Sequence, residues 1–430
     1  MQAEHDTAPQ STPETASEAS PSTHSCRHCG EPLSLELADL GMSPVANDYV
    51  DAARANAMEP FYPLKVFVCG TCRLAQTMDL LAHDALFRED YAYFSSHSTS
   101  WVEHARTYVA AMSERFGLDA SSHVVEVASN DGYLLQFVKD DGVPCLGVEP
   151  CASVAHAAQA KGIDTRIAFF GRDTAAKLVA EGKSADLIAA NNVLAHVPDI
   201  NDFVGGAALL LKPEGVATFE VQHLLRLMQR NQFDTIYHEH FSYLSLVAAQ
   251  RIFEAAGLRV FDVEELTTHG GSIRFIVCRA DASHAKTENV ARVLADERAF
   301  GLDTDAAYAD WAANVRATKR ALLKLLVELK EQGKSIAAYG APAKGVTLLN
   351  YCGVGRDFID FTVDRAPSKQ NHLLPGVQIP ILDPSAITEH KPDCILILPW
   401  NLKDEIIAQV KKDLTWDARF IVPIPEPMLI

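Results

Sequence analysis

Val124-Val125-Glu126-Val127-Ala128-Ser129-Asn130-Asp131-Gly132-Tyr133 is the stretch from which the fold can be read. Its opening residues are mostly β-branched and apolar, and too few for a helix, so they form a short buried strand. The turn that follows is acidic, carries one glycine and opens a helical segment over residues 133–139. A strand entering a helix through such a turn begins a βαβ unit, and the chain continues accordingly. Strands are expected at residues 145–148, 164–167, 185–190 and 215–221, with helices at 152–160 and from about 200. Right-handed crossovers then make a mostly parallel sheet that presents its ligands at the carboxyl ends of the strands.

Downstream, residues 304–331 form a long polar-faced helix with Leu322, Leu323, Leu325, Leu326 and Leu329 near its end, placed to link two lobes. A second alternation follows, with strands at 335–339, 359–363 and 394–398. Upstream, residues 26–76 hold short apolar runs broken by Gly and Pro and read as a small, strand-poor module that cannot hold together on a core alone. The first two dozen residues are Ser, Thr, Pro, Ala and Glu with nothing to bury, and read as a disordered tail. The fold class is therefore α/β, divided into a tail (1–24), a small metal-binding domain (25–100), a Rossmann-like central domain (101–300), a linking helix (301–332) and a C-terminal Rossmann-like lobe (333–430).

Composition narrows the function. The 430 residues are 48% hydrophobic and 22% charged, ordinary for a globular chain. With Lys+Arg 38 against Asp+Glu 56, the formal net charge of -18 repels nucleic acid and anionic membrane. No apolar run approaches the roughly 20 residues that cross a bilayer, and no signal peptide opens the chain, so a cytoplasmic protein is expected. Nine unevenly spaced cysteines do not make a secreted disulfide framework.

Four of those cysteines form Cys26-x-x-Cys29 and Cys69-x-x-Cys72, knuckle-type pairs that suit one tetrahedral zinc ion. A thioredoxin-type redox pair is the rival, but neither pair opens a helix after a strand. Four thiolates leave no open coordination position, so the metal is expected to staple rather than catalyse. His24, His28 and His83 lie nearby and are not needed.

In the central domain, Glu126, Ser129, Asn130, Asp131 and Gly132 line the first turn, and Glu149 ends the next strand where a ribose diol would sit. The turn lacks the Gly-x-Gly-x-x-Gly of a dinucleotide site, and the set fits S-adenosylmethionine better than NAD. Asn191-Asn192-Val193-Leu194-Ala195-His196 lies beyond the strand 185–190, with Asn191 toward the cofactor and Asn192 and His196 toward the crevice; a packed histidine with one backbone bond is the even alternative for His196. In Phe233-Asp234-Thr235-Ile236-Tyr237-His238-Glu239-His240-Phe241-Ser242-Tyr243, four consecutive polar groups cannot share one face, so a turn presents some of them into a cleft. A histidine there can take a proton, a carboxylate can orient it and a tyrosine hydroxyl can donate to an oxyanion. A metal on His238-x-His240, or a solvated surface cluster, are the alternatives. His269-Gly270-Gly271-Ser272-Ile273-Arg274 is an anion nest with Arg274, or a hairpin turn. Gly340-Ala341-Pro342-Ala343-Lys344-Gly345 is phosphate-loop-like without a Walker ending and could hold a diphosphate through backbone amides and Lys344.

In this order, these pieces resemble the zinc-containing S-adenosylmethionine-dependent sugar C-methyltransferases, over about residues 26–423. The resemblance implies a class I methyltransferase fold for the central domain, and a nucleotide-linked 4-keto-deoxysugar, with thymidine as the expected base, bound between the lobes. It implies His240 as general base, Tyr237 and Glu239 polarising or orienting the sugar, and Asn192 and His196 as secondary contacts. S-adenosylmethionine is the implied cosubstrate and Zn²⁺ the structural metal. The single glycine of the 126–132 turn departs from many class I enzymes. Methylation at oxygen or nitrogen of another small metabolite, or a non-catalytic zinc-bearing adaptor, are the competing functions.

Overall fold

The computed structural model describes residues 24–55, 57–78 and 94–430. The tail assigned to residues 1–24 lies, but for its last residue, outside the described residues, as does His83.

The N-terminal module is more strand-built than its sequence suggests. Strands β1 (Leu35–Ser43), β2 (Val50–Asp51), β3 (Tyr62–Val68) and β4 (Ala75–Thr77) are its extended segments, and β1, β3 and β4 form an antiparallel sheet in that order. β1 escapes a simple alternation count because its pairing with β3 shifts register twice, and Gly41 takes a left-handed φ of 74° at the second shift. The sheet is completed by a strand from the middle of the chain, Ser242–Tyr243, paired antiparallel with β4.

The central domain contains β5 (Val124–Val127), β6 (Cys145–Glu149), β7 (Thr165–Ile167), β8 (Ala185–Asn191), β9 (Leu211–Gln222), β10 (Ser242–Tyr243, the strand given to the module), β11 (Leu258–Leu266) and β12 (Ser272–Arg279). Seven of them make one sheet in the order β11-β12-β9-β8-β5-β6-β7. β5 to β9 are parallel, while β12 runs antiparallel to both neighbours. β5 stands where strand order reverses, so its carboxyl end opens a crevice.

The C-terminal lobe contains β13 (Ile336–Tyr339), β14 (Thr362–Val363), β15 (His372–Leu373), β16 (Ile381–Leu382), β17 (Cys394–Ile397), β18 (Arg419–Val422) and β19 (Met428–Leu429). Six of these form a sheet ordered β16-β14-β13-β17-β18-β19, parallel except for β19, again with the first strand central. The long helix is Trp311–Glu331, preceded by the short helix Ala306–Ala309.

The module is wedged between the lobes. Leu37, Leu40, Leu64 and Val66 share a core with Leu322, Leu326 and Leu348 of the C-terminal part, whereas Cys26, Leu33, Cys69 and Leu74 pack into the core beneath the central sheet. β15 pairs with β2, and the Tyr49 hydroxyl donates to the Ala341 carbonyl at 2.6 Å. Among the described residues, no helix is long and apolar enough to cross a membrane.

Candidate functional site

Each cysteine pair sits on a tight turn. Gly30 and Arg73, each one residue past its pair, take left-handed φ of 78° and 67°. The sulfurs of Cys26, Cys29, Cys69 and Cys72 all lie within 4.8 Å of one another, with Cys26–Cys72 at 3.5 Å and Cys29–Cys69 at 3.4 Å. A tetrahedral zinc with Zn–S bonds of 2.3 Å would set its sulfurs about 3.8 Å apart, so the cluster fits with a slight opening. The amide of Cys72 donates to Cys69 Sγ at 3.4 Å and the Gln76 side chain to Cys26 Sγ at 3.2 Å, the outer bonds that orient thiolate ligands. The bond from Cys72 draws Cys26 down to about 4, while burial pushes Cys29 up to about 11: neighbouring sulfurs cannot all ionise without a cation between them. No other group of three or more metal-ligating side chains assembles among the described residues.

At the carboxyl end of β5 the turn winds through left-handed conformations at Ala128, Asn130 and Gly132. Gly132 is needed for packing as well as for its φ of +77°: a Cβ there would lie 2.4 Å from Ile163 Cδ1, so it faces the protein, not a ligand. The polar atoms that do await a partner are Glu126 Oε2, Ser129 Oγ, Asp131 Oδ1 and both amide atoms of Asn191, all buried and unbonded. Orphans gathered at the carboxyl ends of the paired strands β5 and β8 fit a ligand rich in donors, as the ammonium and ribose hydroxyls of S-adenosylmethionine are. Burial raises Glu126 well above the usual carboxylate range. Glu149 accepts the backbone amides of Asn130 at 2.9 Å and Cys151 at 2.8 Å, so its oxygens brace the turn. Trp101 stacks on Tyr133 and meets His269 edge-on at the side of this crevice.

The third element is the turn after the 3₁₀ segment Phe233–Thr235. His240 Nδ1 lies 2.8 Å from the Thr235 carbonyl, and Nε2 lies 2.7 Å from the Tyr237 hydroxyl. A carbonyl only accepts, so Nδ1 carries the hydrogen and Nε2 of the neutral ring presents a lone pair. His196 packs against His240 with ring centroids 4.7 Å apart, its Nδ1 2.8 Å from the Glu239 carbonyl. Burial, then the facing His196, His269 and Lys344, hold His240 well below the ordinary imidazole range. The Glu239 carboxylate is raised by burial; Asn47 of the module donates to Oε1 at 3.0 Å, and Oε2 has no partner. His238 turns the other way, toward the Pro63 carbonyl at 3.3 Å and the ring of Tyr62, so the metal alternative on His238 and His240 is not assembled.

Lys344 reaches this cleft from the C-terminal lobe. Its ammonium donates to Asn401 Oδ1 at 2.9 Å and lies 4.9 Å from the Trp400 ring. Burial lowers its pKa, and buried Asp234, itself pushed up to about 6 by burial, opposes that. Trp400 Nε1 donates to Asp234 Oδ2 at 2.6 Å, and Thr347 donates to the Ile236 carbonyl at 2.9 Å, tying the lobe to the turn.

Arg274 is engaged by carboxylates of its own domain. It is buried between Glu220 at 2.6 Å and Glu264 at 2.5 Å, with its guanidinium over the Tyr108 ring. Burial pushes Glu220 up, but His104 and Arg274 outweigh it and hold the carboxyl at about 2. Two carboxylates balance the charge of this cation, although its buried Nε has no partner, and the Gly270-Gly271 turn leads into β12. Asn192, at a left-handed φ of 53°, donates its amide to the Glu220 carbonyl at 2.7 Å and stays half-buried beside the crevice. Sequence reasoning gave no role to Asp234, although it stands in the quoted run, and no spacing signal points to Trp400, Asn401 or Asn47, which reach the cleft only through folding.

Three family models match the chain in succession: a zinc-binding domain over residues 26–87, a methyltransferase domain over 101–263 and a C-methyltransferase C-terminal domain over 267–425. The C-methyltransferase NovU of Streptomyces niveus is 37% identical over 405 residues, which covers 94% of this chain and 96% of that protein. A ubiquinone biosynthesis O-methyltransferase of Rhodopseudomonas palustris is 26% identical over 97 residues, 23% of this chain and 38% of that one. Among solved structures, the PH0226 protein of Pyrococcus horikoshii superposes with a TM-score of 0.36 at 13% identity, covering 45% of this chain and 99% of that one.

Proposed function

This chain belongs to the C-methyltransferase family and is an S-adenosylmethionine-dependent, zinc-binding enzyme, and from that premise we propose that it methylates the carbon beside the ketone of a nucleotide-linked 4-keto-deoxysugar with His240 as general base. The observation that carries the reading is the hydrogen-bonding of His240. With Nδ1 committed to the Thr235 carbonyl, the lone pair of Nε2 faces the cleft that also holds Tyr237, His196 and Lys344.

A C–H next to a carbonyl becomes acidic once its enolate is stabilised. Nε2 takes that proton, and Tyr237, the half-buried neighbour now bonded to it, turns its hydroxyl to the ketone oxygen. His196 holds the turn through the Glu239 carbonyl and closes one side of the base. Glu239 offers Oε2 to a donor on the sugar, Asn192 supplies a secondary polar contact, and Lys344 with the Gly340 loop takes the diphosphate. Glu126, Ser129, Asn130, Asp131, Gly132, Glu149 and Asn191 would shape the S-adenosylmethionine crevice. When bound, S-adenosylmethionine supplies an electrophilic methyl on sulfur to the exposed carbanion. Cys26, Cys29, Cys69 and Cys72 would hold the zinc, whose contribution is structural.

The test is hydrogen exchange. In deuterated water, with S-adenosylhomocysteine in place of the methyl donor, the enzyme should wash deuterium into the carbon beside the ketone of a thymidine-diphosphate keto-deoxysugar. Methylation at oxygen or nitrogen, with no such exchange and with activity surviving His240→Asn, would reject the reading.

A further inference from the structure

We propose that Thr77, in the zinc-bearing module and far in sequence from the catalytic turn, is a positioning residue for His240. The inference rests on His240 acting as the base. Within its own turn the imidazole is anchored at the Thr235 carbonyl and the Tyr237 hydroxyl. The main chain that carries it has a further anchor, from outside. Thr77 is 4% exposed, its hydroxyl donates to the His240 carbonyl at 3.1 Å, and its amide donates to the Phe241 carbonyl at 3.1 Å. The next residues continue the match as a ladder, Gln76 opposite Ser242 and Ala75 opposite Tyr243. The base is thus held two residues before a strand that pairs with the module.

That anchor is tied to the cysteines. Gln76 donates to Cys26 Sγ at 3.2 Å and accepts the Arg27 amide at 2.9 Å. Arg27 donates to the Thr77 carbonyl at 2.7 Å while its guanidinium lies 5.2 Å from the Phe241 ring. On the far side, the Phe241 amide donates to the Ala195 carbonyl at 2.8 Å, next to His196. Thr77 therefore clamps the base between the cysteine knuckle and the turn that carries the second histidine. A strand ladder resists sliding, and a small displacement of a reacting atom is expensive in rate.

Thr77→Val keeps the shape and the amide but removes the hydroxyl donor. The expected result is unchanged zinc content, unchanged affinity for S-adenosylhomocysteine by calorimetry and unchanged KM for the sugar nucleotide. kcat and the solvent exchange rate should fall together by about tenfold, the size of one lost hydrogen bond, and Thr77→Ser should restore most of both. Wild-type exchange in Thr77→Val overturns the proposal. So does a loss of zinc, cosubstrate affinity and turnover together that Ser does not rescue, because that is a purely structural role. Parallel measurements on wild type and His240→Asn separate this from the underlying reading: if the wild type does not exchange, or His240→Asn exchanges normally, the base itself is misassigned and Thr77 positions nothing catalytic.

Discussion

The two α/β lobes begin alike and end in opposite chemistry. In each, the first strand is central in its sheet and runs into a glycine-bearing turn, Ser129-Asn130-Asp131-Gly132 after β5 and Gly340-Ala341-Pro342-Ala343-Lys344-Gly345 after β13. The first turn is surrounded by buried carboxylates, Glu126, Asp131 and Glu149. The second presents Lys344 at the mouth it shares with His240, with Lys369 2.9 Å from the Ala341 carbonyl. One fold element thus carries opposite charge in the two lobes, which suits the two ligands proposed above, a cationic sulfonium amino acid and an anionic diphosphate. The glycines tell less than the charges do: Gly132 and Gly345 both answer to packing, against Ile163 and Leu398.

The severest way to test the division is at the point between the mouths. His240→Asn should lower kcat by roughly 10²–10⁴-fold while calorimetry finds S-adenosylmethionine affinity intact; loss of both would mean that base and cofactor mouth are not separable. Next in size, Cys72→Ser should strip zinc and lower the melting temperature by on the order of 10 °C, with turnover failing through β4. A variant with full zinc content would remove the metal assignment. Lys344→Ala should raise the KM for the sugar nucleotide by roughly 10- to 100-fold and leave cosubstrate affinity unchanged, so an equal loss for both ligands would dissolve the contrast between the turns.

The smallest effect is a pH slope, and it sharpens the comparison most. Burial raises Glu126, so a cation that favours its ionised form displaces a proton, and S-adenosylmethionine affinity should rise with pH until that raised pKa is passed. Burial lowers Lys344, so its charge is lost early on the alkaline side, and sugar-nucleotide affinity should fall there as pH rises. Titration calorimetry across pH should find opposite slopes for the two ligands. His240 adds a third mark: only its neutral form is a base and its pKa is depressed in the free protein, so the acid limb of kcat/KM should lie below pH about 6.5, the ordinary imidazole value.

Much of this was legible because local rules suffice for it. The valine-rich strand at 124–127 follows from β-branching, the strand at 185–190 from its short apolar run and the helix at 152–160 from periodicity, and two Cys-x-x-Cys pairs in a core-poor segment name their own ligand set. The N-terminal sheet was not legible. The bulges of β1 break the alternation that marks a strand, and its last partner, Ser242–Tyr243, lies more than 160 residues away from β4 in the chain. The partners of Arg274 were hidden for a related reason. A cation beside two glycines looks like an anion site until Glu220 and Glu264 are folded against it.

Sequence alone determined the kinds of groups this protein has to work with: four thiols in pairs, a strand-turn-helix with one glycine, a histidine-rich turn and a lysine in a second such loop. These depend on residue type and short spacing, which are local. Only the tertiary structure decided which of them meet. Lys344 comes to face His240, His238 turns away from it, and Thr77 and Asn47 reach the turn that carries His240 from a module that begins the fold, because long-range burial and strand pairing select partners that no nearby residue encodes.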